Sequence, residues 1–502
     1  MTHTRPVDVH GNGYNRWLLF ILMLLATLAG SLMQSTLGTA LPTLMKKFEI
    51  DLNTAQQATT WFLLALAIMV PVSAYLVKRF PTKHLTLVTY CLLLGGICLT
   101  AFTPEKHAMW TMFVIGRVIA AAAVGILMPL LQITILNIFS ANERSLAMGL
   151  MGLVVGMSPA IGPTLTGWIL DQSHHFMGLT LAASWQTIFY IPMVVLIIVL
   201  VLTPFIMRDV IPTEATIHLD SLSLILSSFG FGLFLLGFTN VSTDGWGDLW
   251  SVDAPIVTGL LIIGLFTWRQ LTIPHPFLDL RVFKSWNFTI TTITTIMAMM
   301  AMMGVEMMLP TYLQNVHGMT ALDSGLTLLP GALFVGILSP IAGLLYAKAG
   351  IKRLAIAAFV VLIAGTIPFA FLTTSTPAIV ITLMYTVRMI GVALALMPLT
   401  TAAMDALPQA QTTDGTAVNN TARQLASSVG VAVLTSVTQN VINTNKPHHQ
   451  LSTVDPLKYA AKSLDASMQG FQVAFSVGLA FAVIGLVVAL FFKRAKKVGA
   501  NS

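Results

Sequence analysis

Fourteen long apolar blocks punctuate this 502-residue sequence, and they limit the fold more than any other feature. A helix of about 20 apolar residues crosses a hydrocarbon core. Inside that core only helices and closed barrels satisfy their own backbone hydrogen bonds. The blocks fall near 17–41, 57–77, 85–102, 109–139, 146–170, 185–207, 222–239, 255–268, 288–313, 326–346, 354–372, 378–404, 416–442 and 471–492. The seventh, eighth and thirteenth carry the weakest signal. Only 9% of residues are charged, against about 25% in soluble domains, too few to cover a water-facing surface.

The net charge of +7 would suggest nucleic acid in a soluble protein. Here the basic residues sit in short loops between apolar blocks. With the N-terminus inside, seventeen fall on the inner side, six outside and three within spans, accounting for all 26. This is the bias that orients membrane proteins, and it predicts both termini in the cytoplasm of a multi-pass plasma-membrane protein. Residues 1–15 are polar and the first block is too long for a signal sequence core, so no cleaved leader is expected. Cys91 and Cys98 share one block and suggest neither a disulfide framework nor a metal site. The paired histidines His174–His175 and His448–His449 lack further ligands at suitable spacing, and no metal or other cofactor is expected. The phosphate-binding pattern of ATP-driven pumps is absent, and no nucleophile–base pattern marks an enzyme.

An internal repeat organises the blocks. Pro71–Leu85 resembles Pro340–Leu354, Gly116–Ile119 resembles Val387–Ile390, and Leu41–Leu44 resembles Leu309–Tyr312, each at an offset of about 270 residues. Blocks 1, 2 and 4 thus match blocks 9, 10 and 12. Because eight spans separate the partners, the halves are parallel, a known transporter plan with the site between the halves. The predicted organisation is a tail at 1–16, a six-helix bundle at 17–207, two inserted helices with linkers at 208–285, a second six-helix bundle at 286–492 and a basic tail at 493–502.

Several motifs give a family resemblance. They are the basic turn Leu76–His84, Gly116-Arg117-Val118-Ile119, the segment Gly152–Gly167 (GLVVGMSPAIGPTLTG), Ser184–Ile191, Leu309–Val316, Leu328–Ala332 and Asp414–Gln424. Together they resemble the major facilitator superfamily, in particular its fourteen-helix drug:proton antiporters of the EmrB and QacA type, over nearly the whole chain. The resemblance implies an all-α membrane protein of two parallel six-helix bundles plus two inserted helices, exporting lipophilic cationic drugs against protons. It also implies small-molecule substrate, protons and membrane lipids as partners, no nucleic acid, and an accessory membrane-fusion protein where the cell has an outer membrane. There are departures. Lys78 and Pro81 stand where the superfamily's basic turn carries Asp and Gly, so the usual charge relay of that turn does not carry over by resemblance. Met33 occupies the position of a helix-1 acid found in many relatives, and Gly38 that of a common Asn.

Glu306 is the principal candidate for proton coupling. It lies well inside the ninth block, whereas Asp323, Asp405 and Asp414 read as span ends or loops. A carboxylate at mid-membrane costs about 2.5–3.5 kcal/mol even on low scales, so such a group takes up and releases a proton as its surroundings change; the alternative is a neutral hydrogen-bonding Glu. Arg117, buried in block 4, either assists proton transfer, as the resemblance implies, or locks helices through backbone carbonyls. Its repeat mate Arg388, and Arg423 near the start of block 13, read as structural buried charges. Gly152, Gly156, Gly162 and Gly167, with Pro159 and Pro163, form a bent, small-residue surface that either gates the pathway or packs a helix. Candidate cavity residues are Gln34, Thr36, Trp61, Gln132, Asn137, Tyr312, Gln314 and Tyr385, each also consistent with packing. Two other functions stay open: export of an endogenous lipid, peptide or metabolite, and a non-transporting receptor or scaffold.

Overall fold

The computed structural model describes residues 7–50, 52–176, 179–213, 220–274, 276, 278–447 and 455–493. Among the described residues fifteen α-helices carry the fold. They are α1 (Arg16–Ser35), α2 (Leu37–Phe48), α3 (Leu52–Arg79), α4 (Thr82–Ala101), α5 (Trp110–Ile138), α6 (Ala141–Asp171), α7 (Trp185–Ile206), α8 (Ser221–Asp244), α9 (Ala254–Thr272), α10 (Trp286–Asn315), α11 (Ala321–Ala349), α12 (Ile351–Thr366), α13 (Ala378–Asp405), α14 (Thr412–Asn445) and α15 (Pro456–Leu490). Helices α1 and α2 together form span 1, and α3 to α15 are spans 2 to 14. Thirteen helices among the described residues are long and apolar enough to cross a membrane alone. The fifth span, bent by 42° between Leu146–Ser158 and Ile161–Asp171, completes fourteen.

The expected spans are present, with the largest differences at two ends. Span 1 runs past residue 41 to Phe48, because Leu44 and Phe48 turn inward while Lys46 and Lys47 stay exposed. The last helix begins at Pro456 rather than 471, since the polar stretch before Phe471 continues the same helix with Asp455 as its cap. Between spans 5 and 6, β1 (His174–Phe176) and β2 (Leu179–Leu181) pair antiparallel.

Packing follows the repeat. Span 1 contacts spans 4, 5 and 6, and span 9 contacts spans 12, 13 and 14. Spans 2 and 3 pack on span 4 as spans 10 and 11 pack on span 12. Two hydrophobic cores result. One centres on residues 19–211 and extends through the inserted segment to Phe288, Ala403, Met404, Ala417 and Val418 of the second half, and the other covers residues 290–492. The inserted spans 7 and 8 pack on each other, and span 7 also touches spans 2 and 13. Between the bundles, span 5 lies along span 10 and span 2 against span 13.

The loops of one face interlock near both chain ends. Glu143 accepts from the Ser140 N–H and hydroxyl and takes a two-pronged bond from Arg16, at 2.7 and 2.8 Å. Asp209 accepts from the Lys83 N–H, while the Trp286 indole and Lys352 both donate to backbone carbonyls at 490–491. This side is called the terminal face below.

Candidate functional site

The seam between spans 5 and 10 is built by glycines. A Cβ on Gly149 would stand 2.5 Å from the Cα of Pro340. One on Gly156 would stand 2.5 Å from Val335, and one on Gly152 would overlap Met397 beside Ser339. Span 10 answers with Gly325 against Thr164 and Gly336 against Met157. Removing side chains on both faces lets two helices meet at backbone distance along their length. Gly167 makes an ordinary contact with Leu322. Gly162 differs: it faces Ser35 of span 1, inside its own bundle. Pro159 falls at the bend and Pro163 follows it. Gly149 lies just outside the motif read from the sequence, and its spacing of three from Gly152 was the available signal.

Polar contacts also join the bundles. Lys78 Nζ lies 2.6 Å from Asp414 Oδ2, with Asp414 buried in the first turn of span 13. The Asp279 N–H donates to the other Asp414 oxygen at 3.3 Å. Lys78, which departs from the superfamily's basic turn, thus has an acid of the other bundle as its partner. Asp414 stands at a span end, and there it is a buried partner across the bundles. Farther into the membrane, the Asn420 amide donates to Gln132 Oε1 at 2.7 Å, linking span 13 to span 4.

Glu306 sits in span 9 and is half-buried. Its Oε2 is sealed from solvent without a hydrogen-bond partner. Arg388 and Tyr385 of span 12 lie within electrostatic reach of it. Arg388 is fully buried; its Nη2 donates to the carbonyls of Ala301 and Met302 at 2.7 and 3.1 Å, leaving Nε and Nη1 unpaired. Tyr385 is buried with its ring on Gly331. The structure therefore brings together an unpaired carboxyl oxygen, a cation with free donors and a phenol.

Arg117 is equally buried but differently placed. Its Nε donates to the Ala58 carbonyl at 3.2 Å, its guanidinium lies 4.6 Å from the Phe62 ring centroid, and Nη1 and Nη2 are unpaired. Arg423 is half-buried in span 13.

The other cavity candidates do not converge. Tyr312 is packed among Phe471, Phe475 and His317, and its hydroxyl donates to the Thr373 carbonyl at the far end of the bundle. Asn137 donates to Ile133 of its own helix. Thr36 is buried, and its carbonyl accepts from Thr166. Gln34 and Gln314 are exposed, and Trp61 is 42% exposed. Among the described residues no three His, Cys, Asp or Glu side chains cluster to hold a metal; His448 and His449 lie outside the described residues.

Residues 23–431 match the family model described as Major Facilitator Superfamily. The chain is 37% identical to the MFS-type transporter YcnB of Bacillus subtilis, with 96% of each chain covered. It is 35% identical to the lincomycin resistance protein LmrB of Listeria monocytogenes, covering 94% of this chain and 96% of that one. Against the multidrug export protein EmrB of Escherichia coli the figures are 28%, 94% and 88%. The human organic anion transporter MFSD10 has a similar fold, with a TM-score of 0.60 at 12% identity over 93% of this chain and 99% of that one.

Proposed function

Since the chain belongs to the Major Facilitator Superfamily, we propose that this multi-pass membrane transporter exports lipophilic, cationic drug-like molecules in exchange for protons. Both termini face the cytoplasm in this reading. Similarity to LmrB and EmrB supports drugs as the substrate class. Glu306 carries the coupling: it is an acid deep in a span, with one oxygen sealed and unpaired beside Arg388 and Tyr385.

The mechanism follows from the cost of an isolated charge in the membrane. With the pathway closed around it, Glu306 holds a proton. When the pathway opens to water, or a cationic substrate approaches, the anion is stabilised and the proton leaves. Arg388, with two free donor nitrogens, receives the carboxylate meanwhile. Proton and substrate compete for one group, and that competition yields exchange. Each inward proton contributes about 2.3 kcal/mol per 100 mV. The glycine seam of spans 5 and 10 is the surface on which the bundles rock, and the Lys78–Asp414 pair holds the terminal face shut.

Dye efflux in inverted vesicles tests this reading. Glu306→Gln keeps shape and most hydrogen bonding but cannot titrate, so uphill efflux disappears. Glu306→Asp retains transport with a displaced pH optimum. Proton-driven efflux at the wild-type rate in Glu306→Gln would remove Glu306 from the mechanism.

A further inference from the structure

A cavity of about 490 Å³ opens between the inserted helices and span 13, within the roughly 300–1,000 Å³ of small-molecule pockets. Spans 1, 4, 9 and 12 contribute no lining residue, so it lies apart from the Glu306 region. Its wall is apolar, with Phe231 from span 7, Phe266 from span 8, and Val418 and Leu425 from span 13. Val418 to Leu425 is about 10 Å of helix, so the wall runs well into the membrane. Its lip is cationic: Arg281 and Lys284 line it from the short helix Leu280–Lys284. The lip stands at interface depth, since Trp268 and Trp286 near the same ends of spans 8 and 9 are 64% and 47% exposed, as aromatic belt residues are.

We propose that this cavity is a binding site for an anionic phospholipid of the terminal-face leaflet, with one acyl chain between spans 7, 8 and 13 and its phosphate on Lys284 and Arg281. The occupant must be apolar at depth and negative at the lip. A lipophilic cation meets repulsion there, and a zwitterionic lipid gains no net attraction. Basic pockets between spans are recognised sites for acidic headgroups. Arg281 is held in place by the Ile273 carbonyl at 2.9 Å, with Asp279 at 3.9 Å balancing part of its charge. Lys284 is exposed, and among the described residues no hydrogen bond or ion pair occupies it. The phosphate therefore rests chiefly on Lys284.

The site touches the contact between the bundles. Asp279, immediately before Leu280, donates its N–H to Asp414, which pairs with Lys78. A lipid held by Lys284 and Arg281 fixes the segment that braces this ion pair, so acidic lipid favours the closed terminal face.

The full chain in nanodiscs tests the site with phosphatidylglycerol and phosphatidylcholine carrying a photoreactive group on one acyl chain. Phosphatidylglycerol is expected to label segments around Phe231, Phe266 and 418–425. Unlabelled phosphatidylglycerol should compete and phosphatidylcholine should not. Lys284→Gln should lower labelling about fivefold, one phosphate–cation contact at the surface, and Lys284→Arg should restore it. Ala422→Trp, which obstructs the cavity, should abolish labelling at 418–425. Equal labelling by both lipids, or labelling indifferent to Lys284→Gln, would mean ordinary boundary lipid and overturn the proposal. Because Lys284 is exposed, its variants probe the site whether or not Ala422→Trp disturbs the packing of span 13.

Discussion

Arg117 and Arg388 hold the same place in the two halves of the repeat, yet their surroundings differ. Both are fully buried near the start of a span followed by Pro, at Pro129 and Pro398. Arg117 spends its charge on a carbonyl and the Phe62 face, and no acid pairs with it among the described residues. Arg388 reaches two carbonyls of span 9 and lies within reach of Glu306. We read the two halves as serving different ends: the first-half cation ties spans 4 and 2 together, and the second-half cation stands beside an acid. The missing acid of span 1, where Met33 stands, belongs to the same asymmetry. It follows that charge movement should be concentrated in the second half.

The largest expected effect is a ranking of the two arginines. Arg388→Gln should lower uphill efflux at least tenfold and flatten its dependence on the proton gradient, because the Glu306 anion loses its counter-charge. Arg117→Gln should mainly lower thermal stability and the amount of folded protein, with a smaller loss per folded molecule. Efflux normalised to folded protein decides between them, and the reverse ranking would abolish the asymmetry between the halves.

Next come the glycines of span 5. Gly149→Ala should lower transport severalfold, because its Cβ meets the Pro340 backbone, which cannot step aside. Gly152→Ala should be milder, since the flexible Met397 side chain stands in its way. Gly162→Leu disturbs span 1 within one bundle, so it should reduce stability as well as transport. Rates per folded molecule for the three variants in one vesicle preparation check the order, and an insensitive Gly149→Ala would remove the seam from the cycle.

A moderate effect is expected at the terminal face. Removing one member of a buried pair costs about 3–5 kcal/mol in dry settings, and less here because Lys78 is partly exposed. Lys78→Asp and Asp414→Lys should each speed opening of that face, read as labelling of a cysteine introduced there, and the double exchange should restore much of the wild-type rate. Failure of the double variant to recover would show that the Asp279 N–H, not charge, is what Asp414 needs.

The smallest effect belongs to the opposite face. Glu105, in the loop between spans 3 and 4, bonds Lys47 at 3.0 Å, the Trp185 indole at 2.9 Å and Gln186 at 3.0 Å. The Lys47 ammonium above all holds its carboxyl below the usual glutamate range; burial pushes the other way, and the bonds from Gln186 and Trp185 add to the lowering. A depressed value stabilises the fold above the unfolded value, and that stability is lost as pH falls through the folded one. Thermal melts should show Glu105→Gln slightly less stable than wild type at pH 7, with the gap closing below about pH 4. A gap that persists in acid would trace the effect to packing.

Much of the architecture was legible because hydropathy and loop charge act locally. Fourteen apolar blocks, the parallel repeat and the depth of Glu306 need no knowledge of neighbours. Partnerships across the fold were not legible. Lys78 and Asp414 are 336 residues apart, and an acid at a span end looks solvated until the facing bundle covers it. Tyr312 reads as a polar ring in a span, but its direction is set by Phe471 and Phe475 from the last helix. Asn420 was indistinguishable from its neighbour Asn419 until Gln132 faced it. The phospholipid cavity, formed by loop 278–284 and three separate spans, left no local pattern at all.

The proposed cycle stands or falls on Glu306 as the group that exchanges a proton for substrate. Purified protein in weakly buffered detergent solution, mixed with a transported cationic dye, tests this directly through the protons released on binding. The wild type should release protons, and the release should vanish in Glu306→Gln, while dye still binds and Arg117→Gln still releases protons. Undiminished proton release from Glu306→Gln would contradict that role and place the coupling group elsewhere in the molecule.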